Sequence, residues 1–333
     1  MATRNDDLEP IEPRTAQQLF LDHKETHCSD ATVQAHRYKT NHFMEWCEEN
    51  DVDNLNEISG RDVQTYRLWL QEKSDMKKIT MRIHMSTMRV FFKWAGSVEA
   101  VPENLYDKVM VPSVSREDRK RDETLDTERA EEILEYLSTY EYASDRHVVM
   151  ALLWNTGIRI GSAKSIDIED IDFKNGHLEL QHRPDEGTEL KNGEGGERLI
   201  AISSDLAKLF GDYIDDIRIP IEDDHGRRPL LTTRRGRMSR ATMRRLVYDV
   251  TAPCFFDDPC EDCKADIKGA RCGGAVSPHS IRRGSITHYL SEDVPVDVVS
   301  ERMNVSRKTL EQHYDKRSEE VKVEQRRAHL EEM

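Results

Sequence analysis

Apolar residues in this chain recur every three or four positions, and that spacing restricts the fold more than any other feature. Met81, Met85, Met88, Phe92 and Ala95 fall at intervals of four, three, four and three, which puts all five on one face of an α-helix. A first helix is expected over residues 14–27. A second should be capped by Asp30, with Val33, Phe43, Trp46 and Cys47 as its apolar positions. Ser59 followed by Asp62 has the form of a capping box ahead of Val63, Tyr66 and Leu70. No strand signal interrupts these four segments. Residues 1–112 therefore read as a helical domain closed by Pro102 and Pro112, and the polar, charged stretch 113–123 as a linker.

The pattern changes in residues 124–333. Ala130, Ile133, Leu134 and Leu137 mark one helix, and the nearly unbroken apolar run from Val148 to Trp154 marks a buried one ended by Thr156-Gly157. Strand signals come next. Asn175-Gly176 is a hairpin turn flanked by Ile171/Phe173 and by Leu178/Leu180. A third strand, Leu199 to Ile202, comes after a loop carrying Lys191-Asn192-Gly193. Helical spacing returns at Leu206, Leu209, Phe210, Tyr213 and Ile217. The expected fold class is mainly α with a small three-stranded antiparallel sheet.

Composition matters for the choice of partner. The net charge is −15 and only 37% of residues are apolar. Disorder is one reading of such numbers, but the helical periodicity argues against it. An acidic surface that keeps a protein hydrated in high salt is the other. Against this background, residues 227–245 hold eight arginines and no acid: Arg227, Arg228, Arg234, Arg235, Arg237, Arg240, Arg244 and Arg245. Clustered arginine on one segment is a footprint for phosphate. Arg234, Arg235, Arg237, Arg240 and Arg244 are the expected DNA contacts, with Ser239 as a helix cap; a solvated surface loop is the competing reading. No apolar run approaches the roughly 20 residues of a membrane helix, and residues 1–13 are acidic without an apolar core. A cytoplasmic protein with no membrane partner is expected.

Of six cysteines, Cys28 and Cys47 sit in helical patterns and read as buried thiols. The other four, Cys254, Cys260, Cys263 and Cys272, lie close together. Four thiolates so spaced suit a structural tetrahedral zinc. The alternative is a loop of ordinary thiols. This insertion, 254–272, separates the arginine-rich segment from the residues around His279.

Three late motifs suggest chemistry. Asn155-Thr156-Gly157-Ile158-Arg159 is a turn that presents an arginine. Pro278-His279-Ser280-Ile281-Arg282 puts His279 and Arg282 on one helix face. His313-Tyr314-Asp315 lies near the C-terminus. Each alone is commonplace. Their order and spacing resemble the tyrosine recombinase, or phage integrase, family, and the Xer-type members in particular. In that family a T-G-x-R or G-x-R turn, a hairpin lysine, an H-x-L-R motif and a C-terminal tyrosine form the site. Met303-Asn304-Val305-Ser306 stands where the family has L-G-H-S, and the acidic composition is most like haloarchaeal members.

The resemblance covers nearly the whole chain. It implies that 1–112 is a core-binding, SAM-like DNA-binding domain and 124–333 an integrase catalytic domain. It implies a homo-tetramer on two double-stranded DNA sites, a two-domain clamp around the duplex, and no cofactor for catalysis. Arg159, Lys191, His279, Arg282 and Tyr314 would be the catalytic set. Elementary chemistry agrees with these residue types. A phenol is far more acidic than an aliphatic hydroxyl, and two guanidinium forks clamp phosphate oxygens as lysine cannot. Lys191 would protonate the leaving 5′-oxygen, with Lys164 and Lys174 as nearby alternatives, and His279 would take or share the tyrosine proton.

Two positions depart from the pattern. Ser162 stands where an acid usually buttresses the first arginine. Val305 stands where a His or Trp usually bonds the phosphate; either the enzyme is slow or another group, an arginine such as Arg302 or Arg307 or a water, fills the gap. These departures keep open a catalytically silent DNA-binding accessory protein of the same fold. A type IB topoisomerase shares the chemistry but fits the length and the helical N-terminal part less well.

Overall fold

The computed structural model describes residues 8–115, 123–256 and 272–314, together with positions 323 and 327. The chain divides into two compact units, Met1–Arg121 and Asp122–Met333. No helix among the described residues is long and apolar enough to cross a membrane.

The first unit contains α1 (Pro13–Glu25), α2 (Asp30–Glu49), α3 (Gly60–Lys73) and α4 (Lys78–Ser97). The α4 stripe is internal as its spacing predicts: Met81, Met85, Met88, Phe92 and Ala95 are all buried. Phe43 of α2 lies edge-on to Tyr66 of α3 and Phe92 of α4, at 5.1 and 5.3 Å between centroids. Aromatic rings thus join three helices by the geometry their quadrupoles favour. Ser59 and Asp62 close a reciprocal capping box at the start of α3. At α2 the cap is Ser29, not Asp30. Ser29 has the extended backbone of a cap, and Asp30 occupies the first turn, where a carboxylate suits the helix dipole. Cys47 is buried, and burial pushes its thiol up to about 12. Cys28 is half-buried.

The second unit opens with α5 (Thr127–Tyr140) and α6 (Asp145–Thr156). Residues 147–154 of α6 are all buried, so this helix forms the axis of the core. It stops at Gly157, whose φ of 59° is the left-handed region that favours glycine. The Cβ of any other residue there would meet the Met303 side chain at 2.7 Å. A short α7 (Ile160–Ser165) leads to β1 (Ile171–Asp172), β2 (His177–Leu180) and β3 (Arg198–Ala201), paired antiparallel in the order β1-β2-β3. The register sets Ile171 opposite Leu178 and Leu178 opposite Ile200. Leu199, which the spacing placed in the third strand, faces outward. The inward face belongs to Ile200 and Arg198, because side chains alternate along a strand.

α8 (Ser204–Asp212) ends in a wider π turn over Tyr213–Ile217, so Ile217 falls on the surface instead of continuing the buried stripe. A second sheet, unforeseen in the sequence, pairs β4 (Thr232–Thr233) with β5 (Gly236–Arg237). Strands of two residues are too short to show alternation. α9 (Arg240–Thr251) comes next. The unit closes with α10 (Pro278–Ser291), α11 (Val296–Met303) and α12 (Arg307–His313). Ile286, Leu290, Val299, Met303, Val305, Leu310 and Tyr314 form a small core among these last helices.

α10 packs on α6 at a glycine. A Cβ on Gly284 would lie 2.0 Å from the Leu125 carbonyl oxygen and 2.9 Å from the Trp154 ring, while its neighbour Ser285 donates to the Trp154 carbonyl at 2.6 Å. Gly284→Ala should therefore destabilise the second unit by about 1–3 kcal/mol, the usual range for overpacking. Thermal or urea denaturation of the variant should show the loss; an unchanged midpoint would mean that the helices part without strain.

Candidate active site

A helix leaves its last carbonyls without partners inside the helix. At the end of α11 the chain turns at Asn304, whose φ of 48° and ψ of 62° are left-handed. Three consecutive carbonyls there are each bound by a guanidinium from a different element. Arg198 of β3 donates from Nε to the Arg302 carbonyl at 2.7 Å. Arg282 of α10 donates from Nη2 to the Met303 carbonyl at 2.5 Å. Arg159, which precedes α7, donates from Nη2 to the Asn304 carbonyl at 3.2 Å. Arg282 also donates from Nη1 to the Gly157 carbonyl at 2.5 Å. One side chain therefore ties the turn after α6 to the end of α11.

The cluster is electrostatically tense. Arg282 is only 3% exposed. Burial, followed by the charge of Arg159, pushes it down to about 9, and burial with the same neighbour brings Arg198 to about 10. Burial also lowers Arg159, while Tyr314 acts in the opposite sense. The partially negative end of α11 relieves part of this repulsion. Among the described residues the hydrogen-bond partners of all three guanidiniums are carbonyl oxygens, never carboxylates. Buried charge without a counter-charge is costly, and an anion in reach of the remaining N–H groups would relieve it.

Tyr314 comes directly after α12. Its N–H donates to the Leu310 carbonyl at 2.9 Å, and its side chain is buried in the small core with Met303, Val305 and Leu310. Its electrostatic effect is felt at both Arg159 and Arg282. His279 lies one turn before Arg282 on α10, at the surface. Partial burial and then the charges of Arg282, Arg283, Lys191 and Arg159 lower its pKa, which keeps the imidazole neutral and able to accept a proton. Lys191 lies in the β2–β3 connection, exposed to solvent. Of the sequence-derived residues, Arg159, Lys191 and Arg282 each act electrostatically on His279, and Tyr314 acts on Arg159 and Arg282. The two alternative lysines are placed otherwise: Lys164 donates to the Gly187 carbonyl at 3.1 Å, and Lys174 lies in the β1–β2 turn.

Other expectations need correction. Arg302 does not substitute for the donor missing at Val305. Its guanidinium donates to the Ala201 and Asn155 carbonyls at 2.8 and 3.0 Å and lies over the Tyr289 ring. Arg307 pairs with Asp297 on the surface. Val305 is buried with Tyr314 in the small core of the last helices, and Ser162 is buried on α7. Arg237, expected on DNA, is internal. It bonds Asp167 and Asp223 at 2.6 Å each and the Lys164 carbonyl at 2.9 Å. Burial opposes ionisation of Asp223, but hydrogen bonds from Arg237 and nearby backbone hold it at about 2. Arg227 joins the same network, through Asp223 at 3.1 Å. Arg240 lies near Glu189 at 3.6 Å and is half-exposed. Arg234, Arg235, Arg244 and Arg245 are exposed. Ser239 caps α9 by accepting from the Thr242 N–H.

The Cys254 and Cys272 sulfurs are 3.7 Å apart. Cys260 and Cys263 lie outside the described residues. Among the described residues no group of three or more His, Cys, Asp or Glu could hold a metal.

The sequence reading missed Arg198. The signal for it is a charged residue on the strand face shared with buried Ile200. It also missed the roles of Asn192 and Asn304, which appear only when distant segments meet.

Comparison with known proteins accords with this geometry. The family model described as "Phage integrase family" matches residues 123–320, and "Phage integrase, N-terminal SAM-like domain" matches residues 16–99. The chain is 22% identical over 291 residues to the tyrosine recombinase XerC of Anoxybacillus flavithermus, covering 85% of this chain and 86% of that protein. It is 22% identical over 276 residues to a tyrosine recombinase of Pseudothermotoga lettingae, covering 82% of each. Among solved structures, the Tn1549 transposon integrase in complex with transposon right end DNA shares the fold, with a TM-score of 0.68 at 15% identity over 97% of this chain and 99% of that one. A lambda integrase dimer bound to a core site has a TM-score of 0.65 at 14% identity, over 93% and 78%. Since one family model alone spans more than half of its length, this chain belongs to the phage integrase family, the tyrosine recombinases.

Proposed function

We propose that this chain cuts and rejoins double-stranded DNA at specific sites through a covalent 3′-phosphate link to Tyr314. The observation that carries the reading is a set of three guanidiniums beside a buried tyrosine, bonded only to neutral carbonyls among the described residues. In the proposed step the Tyr314 oxygen attacks the scissile phosphorus and its proton passes to neutral His279. The bond from phosphorus to the 5′-oxygen breaks, and that oxygen takes a proton from Lys191. The guanidiniums of Arg159 and Arg282 have further N–H groups for the non-bridging oxygens, where charge accumulates. Attack by a 5′-hydroxyl on the phosphotyrosine reverses the step without ATP.

The test uses a nicked suicide duplex whose site is selected from random DNA by binding to the protein. Wild type should accumulate a covalent adduct. Tyr314→Phe should bind the duplex equally well and give none. A normal adduct yield from Tyr314→Phe would overturn the assignment, and absence of adduct from wild type would favour the silent accessory protein.

Exposed Arg234, Arg235 and Arg244 support a DNA-contacting role for this edge, with half-exposed Arg240 beside them. Reversing Arg235 and Arg244 to Glu should weaken binding to all DNA sequences alike and flatten the salt dependence by about one unit of slope per lost phosphate contact. Arg237→Gln should behave differently. It breaks a buried ion pair, so stability should fall by about 3–5 kcal/mol while the salt slope stays as in wild type. Equal salt slopes for the double variant and wild type would remove this surface from the DNA.

A structural zinc at Cys254, Cys260, Cys263 and Cys272 is also proposed. The 3.7 Å between Cys254 and Cys272 is close to the roughly 3.8 Å that two thiolates take on one tetrahedral zinc with Zn–S of ~2.3 Å. Metal analysis of protein purified without chelator should find about one zinc per chain, lost in Cys254→Ser. Metal-free protein of full stability would remove the site.

The assembly proposed is a homo-tetramer on two DNA sites. The net charge of −15 supports a working environment of high salt and, with it, the haloarchaeal likeness.

A further inference from the structure

We infer that Asn304 is a positioning residue that latches the Lys191 loop to the segment carrying the nucleophile. Asn304 has the left-handed backbone for which glycine is least strained. A side chain at such a position adds strain, so its contacts are informative. Its Oδ1 accepts from Asn192 Nδ2 at 3.0 Å, and its Nδ2 donates to the Gly195 carbonyl at 2.9 Å. The orientation of the amide is dictated by chemistry: a carbonyl can only accept, so Nδ2 must face Gly195. Both partners belong to the loop of Lys191, one residue and four residues beyond it.

The same residue faces the other side of the site through its backbone. Its carbonyl oxygen accepts from Arg159. Asn304 therefore touches the phosphate-binding arginine and the lysine loop at once, ten residues before Tyr314. Gly196 lets the loop fold tightly on itself, since a Cβ there would lie 3.1 Å from the Leu190 Cβ, while at 3.7 Å from Asn304 Nδ2 it would make only ordinary contact. Arg198, bonded to the Gly196 and Arg302 carbonyls, anchors the far end of the loop, and the Leu190 N–H, which donates to His182 Nδ1 at 2.9 Å, anchors the near end; Asn304 holds the stretch between them to the segment before Tyr314. An exposed lysine on a long connection would otherwise sample many positions, and proton transfer needs the donor within hydrogen-bond reach of the leaving oxygen. Asn304 restricts that search before DNA arrives.

The inference rests on Lys191 as the proton donor, and one experiment separates the two. Single-turnover cleavage is measured for wild type, Asn304→Gly and Lys191→Ala on two suicide duplexes. One has the ordinary 5′-oxygen at the scissile phosphate; the other has sulfur there. A thiolate leaves without a proton, since a thiol is far more acidic than an alcohol. Glycine accepts the Asn304 backbone, so Asn304→Gly removes the latch and keeps the turn. Asn304→Gly should cleave the oxygen substrate on the order of ten- to a hundredfold more slowly, the scale of loss from a displaced catalytic group. Lys191→Ala should be slower still. Both should approach wild type on the sulfur substrate. Asn192→Ala should match Asn304→Gly in both assays. A wild-type rate for Asn304→Gly on oxygen overturns the latch. Equal slowing on both substrates, with Lys191→Ala rescued by sulfur, overturns it too and leaves Lys191 in place. Failure of sulfur to rescue Lys191→Ala removes the proton donor, and the latch with it.

Discussion

Three guanidiniums on three successive backbone carbonyls hold the second unit's last helices to the rest of it. Arg198, Arg282 and Arg159 come from a strand, a helix and a turn, and they meet at residues 302, 303 and 304. The physics is reciprocal. The end of α11 has carbonyls that lack partners, and the arginines have buried donors that lack anions. Each solves the other's problem in the absence of DNA. The result is a site already assembled, with like charges held near one another by backbone dipoles. In the reaction proposed for the site, such preorganisation makes electrostatic stabilisation effective, because little must rearrange as charge develops on the phosphate.

Charge in this acidic chain is sorted by depth as well as by sequence. The arginine-rich segment looked uniform, yet its members have opposite roles. Arg227 and Arg237 turn inward to Asp167 and Asp223 and stabilise the region between α7 and β5. Arg234 and Arg235 lie at the turn of the β4–β5 ribbon, and Arg244 and Arg245 on α9, all facing solvent. The ribbon explains the split. Arg237 is paired opposite Thr232, which fixes its face, while the turn residues project away from the body.

The surroundings of Tyr314 are more apolar than the family pattern implies. Val305 packs in its core and offers no hydrogen bond, and the arginines nearest in sequence are engaged elsewhere: Arg302 with the Ala201 and Asn155 carbonyls, Arg307 with Asp297. Packing can position a nucleophile, but it cannot stabilise a phosphate oxygen. Arg198 of β3 adds a further guanidinium to the cluster. Ser162 likewise supplies no carboxylate for Arg159; the Asn304 carbonyl takes that bond.

Periodicity made the helices legible. The α4 stripe, the buried α6 and the Ser59 capping box are local facts of side-chain spacing and hydrogen-bonding capacity, and they needed no partner to be read. The turn at Gly157, the hairpin at Asn175-Gly176 and the spacing of His279 and Arg282 are equally local. Lys191 could be assigned to a loop, but not to a position. What the amino-acid order left open is which distant groups meet. Whether Arg237 faces DNA or Asp167, whether Arg302 reaches the phosphate or the Asn155 carbonyl, and that Asn304 binds the Lys191 loop all depend on contacts between residues 70 to 147 positions apart. Arginine has the same composition and charge in every one of these roles. Only the tertiary fold decides which acceptor it finds, because burial sets the penalty for an unpaired cation and the backbone path sets which oxygens lie within reach.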